Sequence, residues 1–297
     1  MGAVGLSPTG NALPQCDFNA PENHVLLGAE SRHPSLDPPA LRFANLRAMS
    51  RPSPLRLNQK LEFAPWRERV VARGRAQIPD ILEADAAKRI LTRLEMAPRW
   101  NLATQCGDRH LDLDAKGMEA RPTKDRAQFL ALVHDQARDG FGYLFNNIPI
   151  YDIYHRRKGK DHPLNEVFEL LNSAPMLEFA RAITGCEDIG FADAQATRYL
   201  AGHFLTEHDD NVAGKNRRAA YVLSLSPKWR PDWGGLTLFF DEQGRVEEVF
   251  TPKFNTLSIF TVPQRHAVSA VAPFAGAPRY SITGWFRAGE DPLLRRE

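Results

Sequence analysis

The chain has no apolar run of membrane-spanning length, and its N-terminus lacks the basic-then-apolar pattern of a secretory signal. It is also poor in cysteine. Cys16, Cys106 and Cys186 are odd in number, widely spaced and form no CxxC pair, so neither a disulfide framework nor a thiolate zinc site is expected. Excess charge is missing too. The net charge of +2 over 297 residues gives no whole-molecule field toward nucleic acid or an anionic membrane. These absences point to a soluble cytoplasmic protein in a reducing compartment, with no direct nucleic-acid or membrane partner.

What is present is an ordinary globular composition, 43% hydrophobic and 25% charged, enough for one large or two small domains. Residues 1–55 are the exception. They are rich in Pro, Gly, Ser and Asn (Pro34, Ser35, Pro38, Pro39, Arg51-Pro52-Ser53-Pro54) and lack apolar periodicity, so ordering them would cost more entropy than their burial returns. They are expected to be a disordered tail, or an artefact if translation starts at Met49; a docking arm is the alternative. Residues 56–190 carry helical spacing. Ile90, Leu91 and Leu94 share one face of 85–96, Phe129, Leu130, Leu132 and Val133 repeat the pattern in 125–136, and a third helix runs from a Ser173 cap to a stop at Gly185. This segment is expected to be mainly helical and to support the rest. Between 191 and 290 the chain turns to short β-branched and aromatic runs at 194–200, 219–225, 236–240, 246–250, 256–261 and 280–286, separated by turn residues. Helices first and strands after predict an α+β fold, with the strands closing into a sandwich or jelly roll.

Chemistry is concentrated in the second half. In His208-Asp209-Asp210 the outer residues share one side if the segment is a strand. Alone this means little: nine histidines and 36 carboxylates in a chain this long give about one His-x-acid pair by chance. A second, His110-Leu111-Asp112, lies in a polar stretch and is taken as the chance instance. His266 follows Asp210 by 56 residues, after four or five strands, enough for a chain to wind around a barrel and return. Two imidazoles and one carboxylate form the facial set that suits Fe(II) with open positions, whereas zinc favours a more closed tetrahedron. Arg279 heads an apolar strand, Arg279-Tyr280-Ser281-Ile282-Thr283-Gly284-Trp285-Phe286. Burying its guanidinium requires an anionic partner, and a carboxylate fits the planar fork. Ser281 and Thr283 share its face by alternation and can add hydroxyl hydrogen bonds. Phe239, Leu257, Ile259 and Val268 are expected near the metal, where they would exclude water, although plain core packing explains them equally.

The stretch from Asp193 to Phe286 resembles the catalytic core of Fe(II)/2-oxoglutarate-dependent oxygenases of the prolyl-hydroxylase branch, and is similar to the ribosomal-protein prolyl hydroxylases and their bacterial relatives. The resemblance rests on Tyr199 and Gly202 before His208-x-Asp210, then Ala220 to Leu225 and Trp229, then Trp233-Gly234-Gly235-Leu236, then Pro252, Phe254-Asn255, Phe260, His266 and Arg279 to Trp285. It covers about a third of the chain. It implies a double-stranded β-helix and iron at His208, Asp210 and His266. It also implies that Arg279 holds the C5 carboxylate of 2-oxoglutarate, that Tyr199 lines the co-substrate pocket, and that O2 is consumed, with ascorbate as a stimulant. The implied reaction hydroxylates a C–H bond, foremost on a prolyl residue of a protein, with release of succinate and CO2.

Two departures stand out. Many relatives carry a tyrosine where this chain has Ser224, and the 13-residue gap from His266 to Arg279 is longer than usual. Three other readings stay open: a small-molecule hydroxylase acting on a free amino acid or lipid precursor, a non-catalytic cupin-like binding module, and a metal-dependent hydrolase on the same barrel. The last leaves Arg279 unexplained. Lys215, Arg217 and Arg218 would form a solvated loop or steer an acidic partner, Trp229 and Trp233 would pack or form a platform, and the aromatic run 141–154 would be core or substrate wall.

Overall fold

The alternation read along the end of the chain becomes the longest strand, Arg279–Ala288, whose even-numbered Ile282 and Phe286 are fully buried. A computed structural model describes residues 54–156 and 161–294. The seven α-helices there are α1 (Ala64–Arg73), α2 (Ala84–Glu95), α3 (Ala115–Glu119), α4 (Thr123–Asp139), α5 (Ile150–His155), α6 (Asn165–Leu171) and α7 (Ala174–Thr184). The strands are β1 (Arg75–Ile78), β2 (Asn101–Cys106), β3 (Arg109–Asp114), β4 (Tyr143–Ile148), β5 (Ile189–Ala192), β6 (Gln195–Tyr199), β7 (Phe204–His208), β8 (Arg217–Ser224), β9 (Thr237–Phe240), β10 (Val246–Phe250), β11 (Thr256–Thr261), β12 (His266–Val268) and β13 (Arg279–Ala288).

All pairings between these strands are antiparallel. A major sheet runs β1-β11-β8-β13-β6-β4-β2-β3, with β5 also on β13. A minor sheet runs β4-β7-β12-β9-β10. Strand β4 belongs to both and joins them along one side, giving a nearly closed barrel flanked by helices, the double-stranded β-helix expected from the sequence.

The helices cover the outer face of the major sheet. Ile90 and Leu94 of α2 and Phe179 and Ile183 of α7 lie in one core with Leu223, Leu257, Ile259 and Ile282. Each such side chain contributes about 1.5–3 kcal/mol by leaving water, so Ile282→Ala would cost about 2–5 kcal/mol with its cavity included. Helix α7 stops at Gly185, which takes φ 73°, a conformation that penalises any Cβ. Ser173 stands at its N-cap, but the hydroxyl donates to the Leu170 carbonyl at 2.7 Å and does not cap the helix. Gly284 is required by close approach: a Cβ there would lie 2.1 Å from the Asp193 carbonyl oxygen.

Several readings change. Residues 56–190 supply not only helices but β1–β4 and the start of β5. Their strands were hidden because β3 is largely exposed and β4 is buried at every position, so neither alternates. Cys186 is a free thiol. The expected tail lies, but for its last residues, outside the described residues. Among the described residues no helix is long and apolar enough to cross a membrane.

Candidate metal and co-substrate site

His208 ends β7 and His266 begins β12, and the two are cross-strand neighbours. Their ring centroids are 4.1 Å apart. Asp210 is not in a strand. It lies two residues beyond β7 with φ 64°, so a left-handed turn rather than strand alternation brings its carboxylate back between the imidazoles. Asp210 Oδ1 lies 3.5 Å from His208 Nε2, and Oδ2 lies 3.5 Å from His266 Nε2. All three ligand atoms fall within 4.8 Å of one another.

The tautomers follow from the backbone. His208 Nδ1 is 2.9 Å from the Thr206 carbonyl and His266 Nδ1 is 2.8 Å from the Gln264 carbonyl. A carbonyl only accepts, so each Nδ1 carries the hydrogen and each Nε2 presents a lone pair to the centre. Burial and the neighbouring His208 push His266 down to about 4. Burial alone would raise Asp210, but the two imidazoles outweigh it and leave the carboxyl below its ordinary value. A divalent cation needs the imidazole nitrogens unprotonated and the carboxyl ionised, and the downward shifts of His266 and Asp210 both favour those forms.

Arg279 is 2% exposed, heads β13 opposite Tyr199, and lies with its guanidinium 5.0 Å from that ring. Among the described residues no carboxylate pairs with it, and its Nε has no hydrogen-bond partner. Burial lowers its pKa, but a guanidinium stays charged at any physiological pH. An unpaired buried cation costs several kcal/mol, and a bound anion would remove that cost. Triad and guanidinium open onto one cavity of about 500 Å³. The fit to an iron ion and a dicarboxylate is therefore made by an orphaned cation and a facial donor set on one cavity.

Tyr199 and Thr283 line this cavity. Ser281 does not: its hydroxyl is 2.8 Å from that of Thr197, because cross-strand pairing sets the two residues opposite each other. Ser224, across from Ser281 on β8, has a buried hydroxyl with no partner among the described residues. Of the apolar residues expected near the metal, Val268 lines the cavity, and Phe239 stacks behind His266 in a cluster with Phe260. Leu257 and Ile259 face the opposite way, into the helical core, and Phe260 takes the inward position on β11.

The aromatic run 141–154, read as core or substrate wall, gives Phe141, Tyr143 and Phe145 to one wall of the cavity, and His110, which was set aside, joins them at the rim. Arg217, expected in a solvated loop, stacks 3.4 Å over Trp285 and donates to the Asp210 carbonyl at 3.0 Å, whereas Arg218 pairs with Asp188 outside. Trp229 packs edge-on against Trp233 and donates to Gly234, filling the loop layer below the site.

The comparisons agree with this geometry. Residues 194–287 match the family described as the 2OG-Fe(II) oxygenase superfamily. The chain is similar to prolyl 3-hydroxylase OGFOD1 of Mus musculus, at 24% identity over 241 residues, covering 77% of this chain and 44% of that protein. It thus spans less than half the length of that relative. Two solved structures share the fold. A Trichoplax adhaerens prolyl hydroxylase in complex with a hypoxia inducible factor peptide has a TM-score of 0.52 at 15% identity, covering 78% of this chain and 91% of that one. An oxidoreductase of the 2OG-Fe(II) oxygenase family from Burkholderia pseudomallei has a TM-score of 0.51 at 17% identity, with 79% and 95% covered. The matched segment holds every residue of the buried donor set and its orphaned arginine, so over this core the chain is similar to the 2OG-Fe(II) oxygenase superfamily, and among its relatives to the prolyl hydroxylases.

Proposed function

We propose that the protein is an Fe(II)- and 2-oxoglutarate-dependent dioxygenase that hydroxylates a prolyl residue of a protein or peptide, releasing succinate and CO2. The observation that carries the reading is Arg279, a buried guanidinium with no carboxylate partner among the described residues, on the same cavity as two imidazoles and a carboxylate. His208 and His266 would hold the iron through Nε2 and Asp210 through its carboxylate. Arg279 would take the far carboxylate of 2-oxoglutarate, with the Tyr199 ring beside it. Bound together with O2, iron and 2-oxoglutarate supply the oxidant for an unactivated C–H bond.

The chain's own residues set orientation and dryness. Val268 and Phe260 close the metal end against water. Phe141, Tyr143 and Trp285 add aromatic surface to the cavity wall, suited to a saturated ring without an N–H. Phe141 and Val212 are 43% and 46% exposed at the cavity's rim. Apolar surface left in water beside the cavity favours a substrate with flanking chain over a free amino acid. The similarity to prolyl hydroxylases supports the same choice.

The test is incubation of the purified protein with Fe(II), 2-oxoglutarate, air and a digest of cellular protein, read by mass spectrometry. Proline-containing peptides gaining one oxygen, with succinate formed in proportion, are the expected outcome. Oxygen gained only by free amino acids or other small molecules would replace the prolyl reading.

A further inference from the structure

The second His-x-Asp pair is not idle. His110 sits on β3, the edge strand of the major sheet, and lines the rim of the cavity. Its Nε2 is 3.2 Å from Asp112 Oδ1, and its Nδ1 is 2.6 Å from the Tyr143 hydroxyl. The ring also stacks on Tyr143 at 5.9 Å. Tyr143 is buried on β4 and packs on Phe141, which in turn contacts His208. The hairpin that carries His110 is pinned: Gln136 of α4 bonds both the N–H and the carbonyl of Gly107 at its turn. A fixed chain of Asp112, His110 and Tyr143 thus runs from solvent to the wall of the cavity.

Hydrogen-bond bookkeeping gives this chain two states. When the imidazole is neutral, its hydrogen lies on Nε2 toward Asp112, and Nδ1 accepts from the Tyr143 O–H. The phenol then shows only lone pairs to the cavity. When the imidazole is charged, Nδ1–H donates to the phenol oxygen, and the Tyr143 O–H is free to donate inward. A prolyl segment has no N–H at the proline nitrogen and offers carbonyl oxygens on either side, so only the second state matches it.

We propose that the Tyr143 hydroxyl binds a main-chain carbonyl of the substrate at the mouth of the cavity, and that His110 is a positioning residue that sets this hydroxyl as a donor. The proposal rests on the prolyl reading above and names the part of the substrate that this wall recognises. The groups facing the imidazole are Asp112 on its own strand and Tyr143 from β4, and its cross-strand neighbour on β2 is the uncharged Gln105. The hydrogen bond to Asp112 raises the His110 pKa despite partial burial, so the charged form extends above the ordinary histidine range. Burial, with the charge of Asp112 added, pushes Tyr143 up to about 12, and the phenol keeps its proton throughout.

The test is calorimetric binding of decaproline to the protein loaded with Fe(II) and 2-oxoglutarate under nitrogen, between pH 6 and 9. Wild type should bind more weakly as the pH rises through the His110 ionisation, by about 3- to 10-fold, the worth of one hydrogen bond. Tyr143→Phe, which keeps the ring, should bind weakly at every pH, and His110→Ala should lose the pH dependence because nothing then takes the phenol hydrogen; both should keep the 2-oxoglutarate affinity. Asp112→Asn should move the wild-type midpoint to lower pH. Decaproline bound equally by wild type and both variants, with one shared pH profile, would overturn the role of His110 and Tyr143 and leave the prolyl reading standing. No decaproline binding to a wild-type protein that still turns over 2-oxoglutarate would count against the prolyl reading itself and would take this proposal with it.

Discussion

His208-x-Asp210 and His110-x-Asp112 have the same spelling and opposite fates. In the first, backbone carbonyls occupy Nδ1 of His208 and of its partner His266, so two Nε2 lone pairs are left facing one carboxylate. In the second, Asp112 and Tyr143 take both ring nitrogens of His110, and nothing remains for a metal. Strand geometry explains the difference. His110 and Asp112 are both within β3 and point to one side, where they satisfy each other. Asp210 lies beyond its strand in a left-handed turn, set between two imidazoles rather than paired to one. Environment also pushes the two histidines apart: burial lowers His266, and a carboxylate raises His110. What marks a ligand is a nitrogen left without a partner, and the spacing marks only a candidate.

The comparison is broken most directly by removing one member of each pair. His208→Ala should drop succinate formation to background with loss of bound iron, while His110→Ala should retain iron and keep 2-oxoglutarate turnover within about 10-fold, as expected when one hydrogen bond is lost. Equal losses of iron in the two variants would erase the distinction. A second contrast lies at the far end of the cavity. Arg279→Met removes a charge-assisted, forked contact and should raise the KM for 2-oxoglutarate by about 100-fold. In the metal-free protein the same change removes an unpaired buried cation, so Tm should rise, by about 2–4 °C per kcal/mol gained. A lowered Tm would mean that the guanidinium has a protein partner.

The opposite pKa directions give a third test. His266 titrates at about 4 in the metal-free fold against 6.5 when unfolded. As the pH falls, the unfolded chain takes up this proton first. Stability from this group is therefore complete above about 6.5, drains between 6.5 and 4, and is flat below, a loss of at most about 3 kcal/mol. Denaturant titrations at pH 7 and 4.5 would show it, and His266→Asn should reduce the difference; an unchanged difference would assign the loss elsewhere. The smallest effect is expected from Asp112→Asn, a change in stability below about 1 kcal/mol because the pair is half exposed.

Much of the scaffold was legible in the sequence. Apolar spacing located α2, α4 and α7 to within two or three residues, and β11 at its observed limits, because each has one face in the core and one in water. The strands that carry the site were harder to read. β7 has no fully buried position and β12 has only three residues, so neither shows a period. The three clustered donors could be singled out because chemistry restricts residue type, and Arg279 because a cation heading an apolar strand demands an explanation. Ser281 was misjudged since alternation gives a face but not a hydroxyl's partner, here Thr197. His110 was set aside because its worth depends on Tyr143, 33 residues away and reached only through the pairing of β2 with β3 and β4.

On the proposed reading, iron and 2-oxoglutarate share one site built from His208, Asp210, His266 and Arg279. Its most direct test is an anaerobic titration of the metal-free protein with Fe(II) and 2-oxoglutarate, following the weak visible charge-transfer absorption of the chelated pair. The expected band requires both additions in wild type, is absent in His208→Ala, and needs far more 2-oxoglutarate in Arg279→Ala. A band that survives His208→Ala unchanged, or that saturates at the same 2-oxoglutarate concentration without Arg279, would contradict it.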